Sequence, residues 1–386
     1  MQHHELVRFA NDLATILEFS PTARDYDLHV DVVVNCRAGG LWPRSHYRQR
    51  RRQLDGFLAG LVGRRSTITR SVYVTEYRGH ARSIARRILL AAGQPGRLHF
   101  VISVGGDGTH SELLSTFAWA SEGIRRRLWL HRMPLGTGND GADATGFIES
   151  CTVLARSGTH HRIAALRIAP VGLEPMHAFN VASWGVDAFI TDISNHLKVL
   201  CPGNIYRPVA DVSTLLYEPI HGVDPLGLTY RDARGTRRRM RRRFMLVALG
   251  VSGHRTYGEG MPILPDHRNL CAIPRLSIMR KLAMKQKVFR GQHLGESEVL
   301  SDRVDRLELD YARTLPMQID GEVVWLHPEH FPLQVELVKG LLPVMSAPPI
   351  PAGQLSRSLQ PEWPGAMVSP ENRRSAIASR SAFRGV

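Results

Sequence analysis

Between residues 29 and 135 the chain alternates short apolar runs with segments of helical periodicity, and this alternation is what most constrains the fold. The pattern predicts strands at 29–35, 71–75, 99–104 and 128–135, and helices at 44–61, 79–92 and 109–120. Short buried strands separated by helices are typical of a parallel sheet covered on both faces. Ligands are then expected in the loops at the carboxyl ends of the strands.

The rest of the chain divides into three further segments. Residues 1–28 contain an amphipathic helix, expected to pack on the protein's own core because its polar face is acidic rather than basic. Beyond about residue 160 the texture changes to strands and turns, predicted at 162–168, 178–183, 227–230, 243–250, 306–310 and 316–319. Residues 346–386, rich in Pro, Ser and Arg, are expected to form a disordered tail.

The predicted fold class is therefore α/β with two domains. Residues 29–158 would form a doubly wound parallel-sheet domain with its ligand site at the strand ends, and 159–345 a mainly antiparallel β domain. Near its end the chain could return to the first domain. Two domains also suit a length of 386 residues, because single cores stop growing at roughly 250–300 residues.

Charge and cysteine usage narrow the class of protein. Fifty Lys and Arg against 35 Asp and Glu give a formal charge of +15, which favours an anionic partner: a nucleotide, a nucleic acid or an acidic membrane face. The four cysteines lie far apart, and no Cys or His pair has metal spacing, so we expect a reducing compartment and no zinc site. Without a signal-peptide pattern or an apolar stretch of about 18 residues, the protein is expected to be cytoplasmic.

The strongest chemical signal is a glycine-rich loop directly after the third strand. It consists of Gly105, Gly106, Asp107, Gly108 and Thr109. Glycines there let backbone N–H groups approach phosphate oxygens, and the following helix adds partial positive charge at its N-terminus. Asp107 is suited to holding a metal on the phosphates or to accepting a proton. Thr109 and Glu112 fit a capping box, which predicts a structural role for Glu112.

A second small-residue loop follows the next strand. It consists of Pro134, Leu135, Gly136, Thr137, Gly138, Asn139 and Asp140. Loops at neighbouring strand ends are placed to enclose one triphosphate from two sides. Neither is a Walker A loop, because no G-K-[ST] follows.

Together these motifs resemble the diacylglycerol kinase catalytic family, which includes bacterial lipid kinases, sphingosine kinases and ceramide kinases. The matching segments, in order, are Asn35 of NPxxG, Thr75 with GHA at 79–81, GGDGT at 105–109 with Glu112, PLGTGND at 134–140, NVASWGVDA at 180–188, YGEG at 257–260 with Pro265, and DGE at 320–322. A single GGDGT also occurs in NAD kinases and phosphofructokinases. The ordered set over residues 30–340 is specific.

The resemblance implies roles for particular residues. ATP is expected to bind to Asn35, Thr75, Gly105, Gly106, Asp107, Gly108, Thr109, Gly136, Thr137, Asn139 and Asp140. The catalytic candidates are Glu322, as the general base for the acceptor hydroxyl, and Asp107, beside the Mg²⁺ that arrives with ATP. Which of the two carboxylates accepts the proton stays open. Without the resemblance, the Asp320–Gly321 pair would be interpreted as a hairpin turn.

Two departures from the family pattern concern a structural metal network of its bacterial members. Ala164 or Ala165, and Asn269, stand where the family usually has carboxylates, which leaves only Asp140. One carboxylate does not complete the oxygen shell of a hard divalent ion. We therefore predict no tightly held structural Mg²⁺ or Ca²⁺ where the domains join.

A run of six arginines in seven residues precedes the strand predicted at 243–250. They are Arg237, Arg238, Arg239, Arg241, Arg242 and Arg243. One interpretation is an electrostatic contact with anionic lipid, and the other a solvated sheet edge that prevents edge-to-edge pairing. A nucleic-acid partner is disfavoured, because no aromatic residues are interleaved for base stacking.

The hypothesis that follows is an ATP-dependent kinase that phosphorylates a hydroxyl of a membrane lipid, of diacylglycerol or sphingoid-base type. Such an enzyme would associate peripherally with the inner face of the membrane. Two alternatives stay open: a soluble enzyme of NAD-kinase type, and a catalytically silent nucleotide-binding module that docks on membranes.

Overall fold

The apolar runs of the first half form the predicted parallel sheet in a computed structural model. The structure describes residues 2–136, 139, 141–200, 206–251, 256–257, 261–262 and 264–347. Elements in the first half are α1 (His3–Leu17), α2 (Thr22–Asp25), β1 (Leu28–Asn35), α3 (Arg44–Ala59), β2 (Thr69–Thr75), α4 (His80–Ala92), β3 (Leu98–Gly105), α5 (Asp107–Phe117), α6 (Glu122–Arg125), β4 (Leu128–Pro134) and α7 (Phe147–Arg156).

Four adjacent parallel strands, in the order β2-β1-β3-β4, make up this part of the sheet. Their carboxyl ends are aligned, since Asn35 pairs in register with Thr75 and Gly105 with Pro134. The loops that follow β1, β3 and β4 therefore meet at one edge, which the strand pattern predicted.

Helix α1 packs on this sheet through its apolar face. Leu6, Phe9 and Leu13 are buried in one hydrophobic cluster with side chains of β1 and β3. The ring of Phe9 stacks on that of Phe147 in α7, with centroids 5.9 Å apart. The expected docking of α1 on the protein's own core is confirmed.

The second half contains most of the antiparallel strands. Its elements are β5 (Thr159–Ala169), β6 (Met176–Ala178), β7 (Val181–Gly185), α8 (Val186–Leu200), α9 (Tyr206–His221), β8 (Pro225–Arg231), β9 (Arg237–Gly250), β10 (Thr256–Tyr257), β11 (Met261–Pro262), β12 (Leu270–Pro274), α10 (Ile278–Phe289), β13 (Leu300–Asp302), β14 (Arg306–Asp310), β15 (Leu315–Ile319), β16 (Glu322–Leu326) and β17 (Leu333–Ser346).

Strand β17 brings the chain back to the parallel sheet. It pairs antiparallel with β5 along most of its length and parallel with β4 at Val344 and Leu130. Both halves belong to one compact unit, Met1–Pro348. Apart from Ser346 and Ala347, the tail predicted at 346–386 lies outside the described residues.

Two features of the second half differ from the sequence prediction. Helices α8, α9 and α10 occupy segments for which no helix was predicted. The arginine run does not precede a strand but forms the first half of β9, where Arg237 to Arg243 pair with β8. It is extended because β8 offers a partner whose Leu226, Leu228 and Tyr230 are buried in the sheet. Among the described residues, no helix combines the length and apolarity needed to cross a bilayer.

Candidate active site

A cleft of about 450 Å³ lies at the carboxyl edge of the parallel strands. Its walls come from the loops after β1, β3 and β4, from the N-terminal turn of α5, from one side of α8 and from the turn between β15 and β16. Asn35, Gly106, Asp107, Gly108, Thr109, Gly136 and Glu322 all line it. Most of the site predicted from the sequence is therefore brought together in one place.

The GGDGT loop presents the N-terminus of α5 to the cleft. Gly105 ends β3, and a Cβ on it would lie 2.8 Å from Oγ1 of Thr109, so only glycine fits. A Cβ on Gly108 would meet nothing within 4 Å, which leaves open space beside the first turn. Backbone N–H groups at such a helix start favour an anion.

The predicted capping box is wrong, although Glu112 is structural. Helix α5 begins at Asp107, two residues before the predicted start, with Gly106 as its N-cap. Thr109 is thus already helical and does not cap. Glu112 instead accepts hydrogen bonds from the N–H groups of Gly79 (2.9 Å) and Ala81 (3.1 Å). It caps α4, whose N-cap Gly79 has a left-handed φ of 87°.

Asn35 fixes the loop after β1 against α5. Its Nδ2 donates to Oγ1 of Thr109 (2.9 Å), and its Oδ1 accepts from the N–H of Arg37 (2.9 Å). This bond places the exposed Arg37 on the cleft wall. Thr75 ends the neighbouring strand but is buried and is not among the described residues that line the cleft.

The loop after β4 closes the other side. Asn139 holds this loop together, since its Oδ1 accepts from the N–H of Gly136 (2.9 Å) and its Nδ2 donates to the carbonyl of Gly136 (3.1 Å). The N–H of Gly141 donates to Oδ1 of Asp107 (3.0 Å), so the segment after β4 is hydrogen-bonded to the glycine-rich loop after β3. Thr137 and Asp140 lie outside the described residues.

A buried ion pair supports the floor of the cleft. Asp143 accepts from Nε (3.0 Å) and Nη2 (2.6 Å) of Arg132 in a two-pronged contact, and also from its N–H (2.7 Å). Paired, hydrogen-bonded burial of this kind holds a guanidinium in a fixed place. Arg132 lines the cleft, and its Nη1 would lie 3.4 Å from a Cβ on Gly141.

His110 also lines the cleft and is uncharged. Its Nδ1 lies 2.7 Å from Oγ of Ser103. Burial lowers the pKa of His110 to about 3, and the charge of Arg132 acts in the same direction. At neutral pH the imidazole of His110 is therefore neutral where it lines the cleft.

The DGE segment forms a two-residue hairpin turn between β15 and β16. Both turn residues have left-handed φ, 50° at Asp320 and 91° at Gly321, as a type I′ turn requires. Asp320 accepts hydrogen bonds from three consecutive N–H groups, those of Phe179 (2.6 Å), Asn180 (2.9 Å) and Val181 (2.9 Å). The turn interpretation and the functional one are thus compatible: the turn aims Glu322 into the cleft.

Glu322 is paired with Arg78, which lies in the loop between β2 and α4. Its side chain is 32% exposed, whereas that of Arg78 is 66% exposed. This ion pair spans from the β15–β16 turn to the first half of the chain. Asn195 of α8 also contacts this turn, since its Nδ2 donates to the carbonyl of Gly321 (2.9 Å).

A second pocket, of about 100 Å³, lies on the other side of α8. Helix α8 contributes Thr191, Ser194 and Asn195 to the cleft, but Val186 and Ile190 to this pocket. The remaining wall is largely apolar and comes from α9, β9, β12 and α10. Its polar lining residues are Asp187, Thr214, Lys281 and Lys285. The carboxylate of Asp187 accepts from Oγ of Ser183 (2.6 Å) and from Nε2 of Gln318 (3.3 Å).

The two positions that depart from the family pattern have structural uses here. Asn269 is buried, its Nδ2 donates to the carbonyls of Gly250 (3.2 Å) and Val304 (2.9 Å), and its Oδ1 accepts from the N–H of Val304 (2.7 Å). Ala165 is fully buried in a hydrophobic cluster. The absence of a structural Mg²⁺ or Ca²⁺ at this place stays a prediction.

Sequence reasoning missed three cations and the second pocket. Arg37 and Arg78 each stand within a motif that was recognised, at 35–39 and at 75–81, so a basic residue inside a recognised motif was the available signal. Arg132 lies mid-strand, and only the tertiary structure shows that it reaches the cleft. The apolar pocket was missed because α8, α9 and α10 were missed.

Comparison with known proteins agrees with this geometry. Residues 29–169 match the model of the family described as diacylglycerol kinase catalytic domain. No curated protein sequence matches the chain significantly.

Among solved structures, a candidate diacylglycerol kinase from Bacillus anthracis str. Sterne is similar with a TM-score of 0.56 at 16% identity, over 84% of this chain and 98% of that one. A second structure of this description from the same organism has a TM-score of 0.54 at 18% identity, over 84% and 99%. A third, a diacylglycerol kinase also from that organism, has a TM-score of 0.52 at 14% identity, over 84% and 98%. These likenesses support the α/β fold, and the family match confirms the resemblance seen in the sequence.

Proposed function

We propose that this chain, whose residues 29–169 match the model of the diacylglycerol kinase catalytic domain, transfers the γ-phosphoryl group of ATP to the hydroxyl of a membrane lipid. The acceptor class is diacylglycerol or a sphingoid base. The observation that carries the proposal is the position of Glu322 on the same cleft as the GGDGT loop, with an apolar pocket directly behind α8. A candidate proton acceptor, a glycine-rich loop and a small, largely apolar pocket are thus neighbours.

The nucleotide would bind between the two glycine loops. The N-terminal turn of α5 offers N–H groups to the phosphates, and Arg37 adds a positive charge from the cleft wall. Thr75, Thr137 and Asp140 belong to the proposed ATP site by their motif positions.

Mg²⁺ suits the donor set of the cleft. The ion usually binds through one or two carboxylates together with substrate phosphates and water, and Asp107 lines the cleft beside the proposed phosphate position. When bound, Mg²⁺ would neutralise charge on the transferring phosphoryl group. Asp107 is the residue proposed to hold it.

Glu322 would accept the proton of the lipid hydroxyl. Phosphoryl transfer needs mainly positioning and charge neutralisation, plus a carboxylate near the attacking hydroxyl. The Asp320 anchor supplies the positioning, because three N–H groups hold the turn in which Glu322 begins β16. Arg78 must release Glu322 for this role, and the phosphates of ATP are anions that compete for Arg78.

The lipid would enter from the side of α9 and α10. Both helices line the apolar pocket on their inner sides, and on their outer sides they expose Val212, Leu216, Ile220, Ile278 and Met279. Such an exposed apolar patch is typical of a membrane or protein contact. Of these two partners the basic composition favours a membrane, because an anionic membrane surface attracts a positively charged protein.

The test is transfer of labelled γ-phosphate from ATP to a panel of diacylglycerol, sphingosine, ceramide and phosphatidylglycerol in mixed vesicles. We expect one lipid of the panel to be labelled, and Asp107→Asn to abolish labelling while the melting temperature is retained. Asparagine keeps the oxygen that accepts from Gly141, so the loops stay joined. A parallel reaction offers NAD as a soluble acceptor, and labelling of NAD and of no lipid would indicate an NAD-kinase-type enzyme. ATP binding without transfer to any acceptor would indicate a catalytically silent module.

A further inference from the structure

A cluster of two histidines and one carboxylate lies at the amino ends of the parallel strands. His29 of β1 and His99 of β3 are register partners, and Asp31 is the next residue of β1 on the same face of the sheet. Six residues at about 3.3 Å each separate His29 from Asn35, so the cluster is about 20 Å from the cleft along the strand. It plays no part in the proposed phosphoryl transfer.

The ligand atoms of these three residues are close enough to share one ion. One nitrogen of each histidine and one oxygen of Asp31 all lie within 4.8 Å of one another. Nε2 of His29 lies 3.4 Å from Oδ1 of Asp31, and Nδ1 of His99 lies 2.9 Å from Oδ2. Two ligands of a tetrahedral zinc ion, each about 2.1 Å from the metal, are about 3.4 Å apart.

The second nitrogen of His29 is also arranged as in a metal site. Nδ1 of His29 lies 2.7 Å from Oγ1 of Thr69 on β2. Metal-ligating histidines generally use their other ring nitrogen for such a hydrogen bond, which fixes the orientation of the ring. The remaining nitrogen, Nε2, then faces Asp31 and lies 3.1 Å from Oγ of Ser71. Ser71 or a water is placed to complete four ligands.

The charge of Asp31 calls for a cation. Its side chain is 1% exposed, so the carboxylate lies in the interior between the two imidazoles. The other buried carboxylates Asp143 and Glu18 are each paired with arginine. Among the described residues, no arginine or lysine forms an ion pair with Asp31. An ionised carboxylate in the interior requires a compensating charge.

We propose that His29, Asp31 and His99 bind one divalent transition-metal ion of the zinc type, as a structural site that joins β1 and β3. Two imidazoles and a carboxylate are ligands that zinc takes readily, whereas Mg²⁺ and Ca²⁺ prefer oxygen alone. Spacing along the chain does not reveal this site, because strand register, not sequence proximity, brings His99 beside His29. The proposal is independent of the enzymatic function.

The experiment measures zinc binding by the full chain after removal of metal with a chelator. A chromophoric chelator that competes for Zn²⁺ reports affinity and stoichiometry. We expect one equivalent at an affinity of about 1 μM or tighter, and at least about a 100-fold loss in both His99→Gln and His29→Gln. The matched control is His196→Gln, because His196 is an exposed histidine 3.5 Å from the carboxylate of Asp192. It should bind zinc like the wild type.

Thermal melting gives a second readout, since an ion that binds only the folded state raises the melting temperature. Zinc should raise that of the metal-free wild type and of His196→Gln, but not that of His99→Gln or His29→Gln. If His99→Gln fails to fold, the partly exposed His29 still gives a usable variant. Equal zinc affinity in the wild type and in His29→Gln, or no binding by the wild type, would overturn the proposal and leave a proton-sharing His-Asp-His network.

Discussion

Asp107 and Glu322 are far apart along the chain, yet both line one cleft. Each is the first residue of an element that begins at the cleft. Asp107 is the first residue of α5, directly after the glycines that end β3. Glu322 is the first residue of β16, directly after a turn that Asp320 anchors.

Replacing Glu322 with glutamine tests its role as the general base. The amide keeps the size of the side chain but accepts no proton, so kcat should fall by about 10²–10⁴-fold. The KM for ATP should change little, because a base acts in the transition state. Initial rates over a range of ATP concentrations measure both constants, and Glu329→Gln, an exposed carboxylate of the same half, is the control. A rise in KM at unchanged kcat would make Glu322 a nucleotide ligand.

His110 gives the fold a sensitivity to acid. The pKa of His110 in the folded protein is about 3 because of burial, whereas the pKa of a histidine in an unfolded chain is about 6.5. Between these values the unfolded chain binds more protons, so the free energy of unfolding falls as the pH falls. From pH 7 to pH 5 this single group should remove about 2 kcal/mol. Urea unfolding at both pH values measures this decrease in the free energy of unfolding. The decrease should be smaller by about 2 kcal/mol in His110→Asn than in the wild type, and equal decreases in the two proteins would contradict the assignment.

At the scale of the element, the β15–β16 hairpin acts as an arm that carries Glu322. Replacing Asp320 with alanine removes three hydrogen bonds and puts alanine at a left-handed φ. Unsatisfied buried donors cost about 1–3 kcal/mol each, so Asp320→Ala should lose about 3 kcal/mol or more, measured by urea unfolding. Asp320→Asn should lose less, since asparagine accepts hydrogen bonds and tolerates this φ.

The same two variants separate support from catalysis. If the turn positions Glu322, kcat should follow the order wild type, Asp320→Asn, Asp320→Ala at a temperature where all three are folded. Full kcat in a folded Asp320→Ala protein would show that Glu322 finds its place without the anchor.

The elements that could be predicted are those whose signal is local. Strands β1 to β4 agree with the prediction within two residues, because each is a short apolar run between breakers. Helix α8 also has a local signal, apolar residues Val186, Ile190 and Ile193 at helical spacing, which the interpretation as strands and turns overlooked. The start of α5 could not be placed from its Thr-x-x-Glu pattern, since Glu112 caps a different helix.

At the scale of the whole molecule, the site is the product of long-range pairing that no local pattern contains. The pairing of β15 with β7 is what brings the Asp320–Glu322 turn to the cleft, and only resemblance to a family pointed to Glu322 beforehand. Arg132 and the His29–Asp31–His99 cluster had no such guide. His99 is placed beside His29 by the register between β1 and β3, whereas Arg132 is held at the cleft by Asp143 of the segment after β4.

The arginine run is the largest concentration of charge in the described structure and lies on an exposed strand. Arg238 pairs with Asp232 and Arg241 with Asp310, whereas among the described residues Arg237, Arg239 and Arg242 form no ion pair. Removing these three therefore costs the fold little. Arg237 and Arg239 lie on one face of β9 and Arg242 on the other, so the three reach an anionic membrane together only if it meets the edge of the strand. In that arrangement each contributes about 1 kcal/mol of binding. The solvated-edge interpretation predicts no contribution at all.

Replacing Arg237, Arg239 and Arg242 with glutamine should thus weaken binding to anionic vesicles by about 100-fold at low salt. The residual binding should also depend less on ionic strength, because fewer charges remain to be screened. The matched control replaces Arg82, Arg86 and Arg87, three exposed arginines of α4, and removes the same net charge from the half of the chain that forms the parallel sheet. Sedimentation with vesicles of phosphatidylserine and phosphatidylcholine measures both. Equal weakening in the two triple variants would mean that overall charge, not the β9 edge, attracts the membrane, and unchanged binding in both would favour the solvated edge.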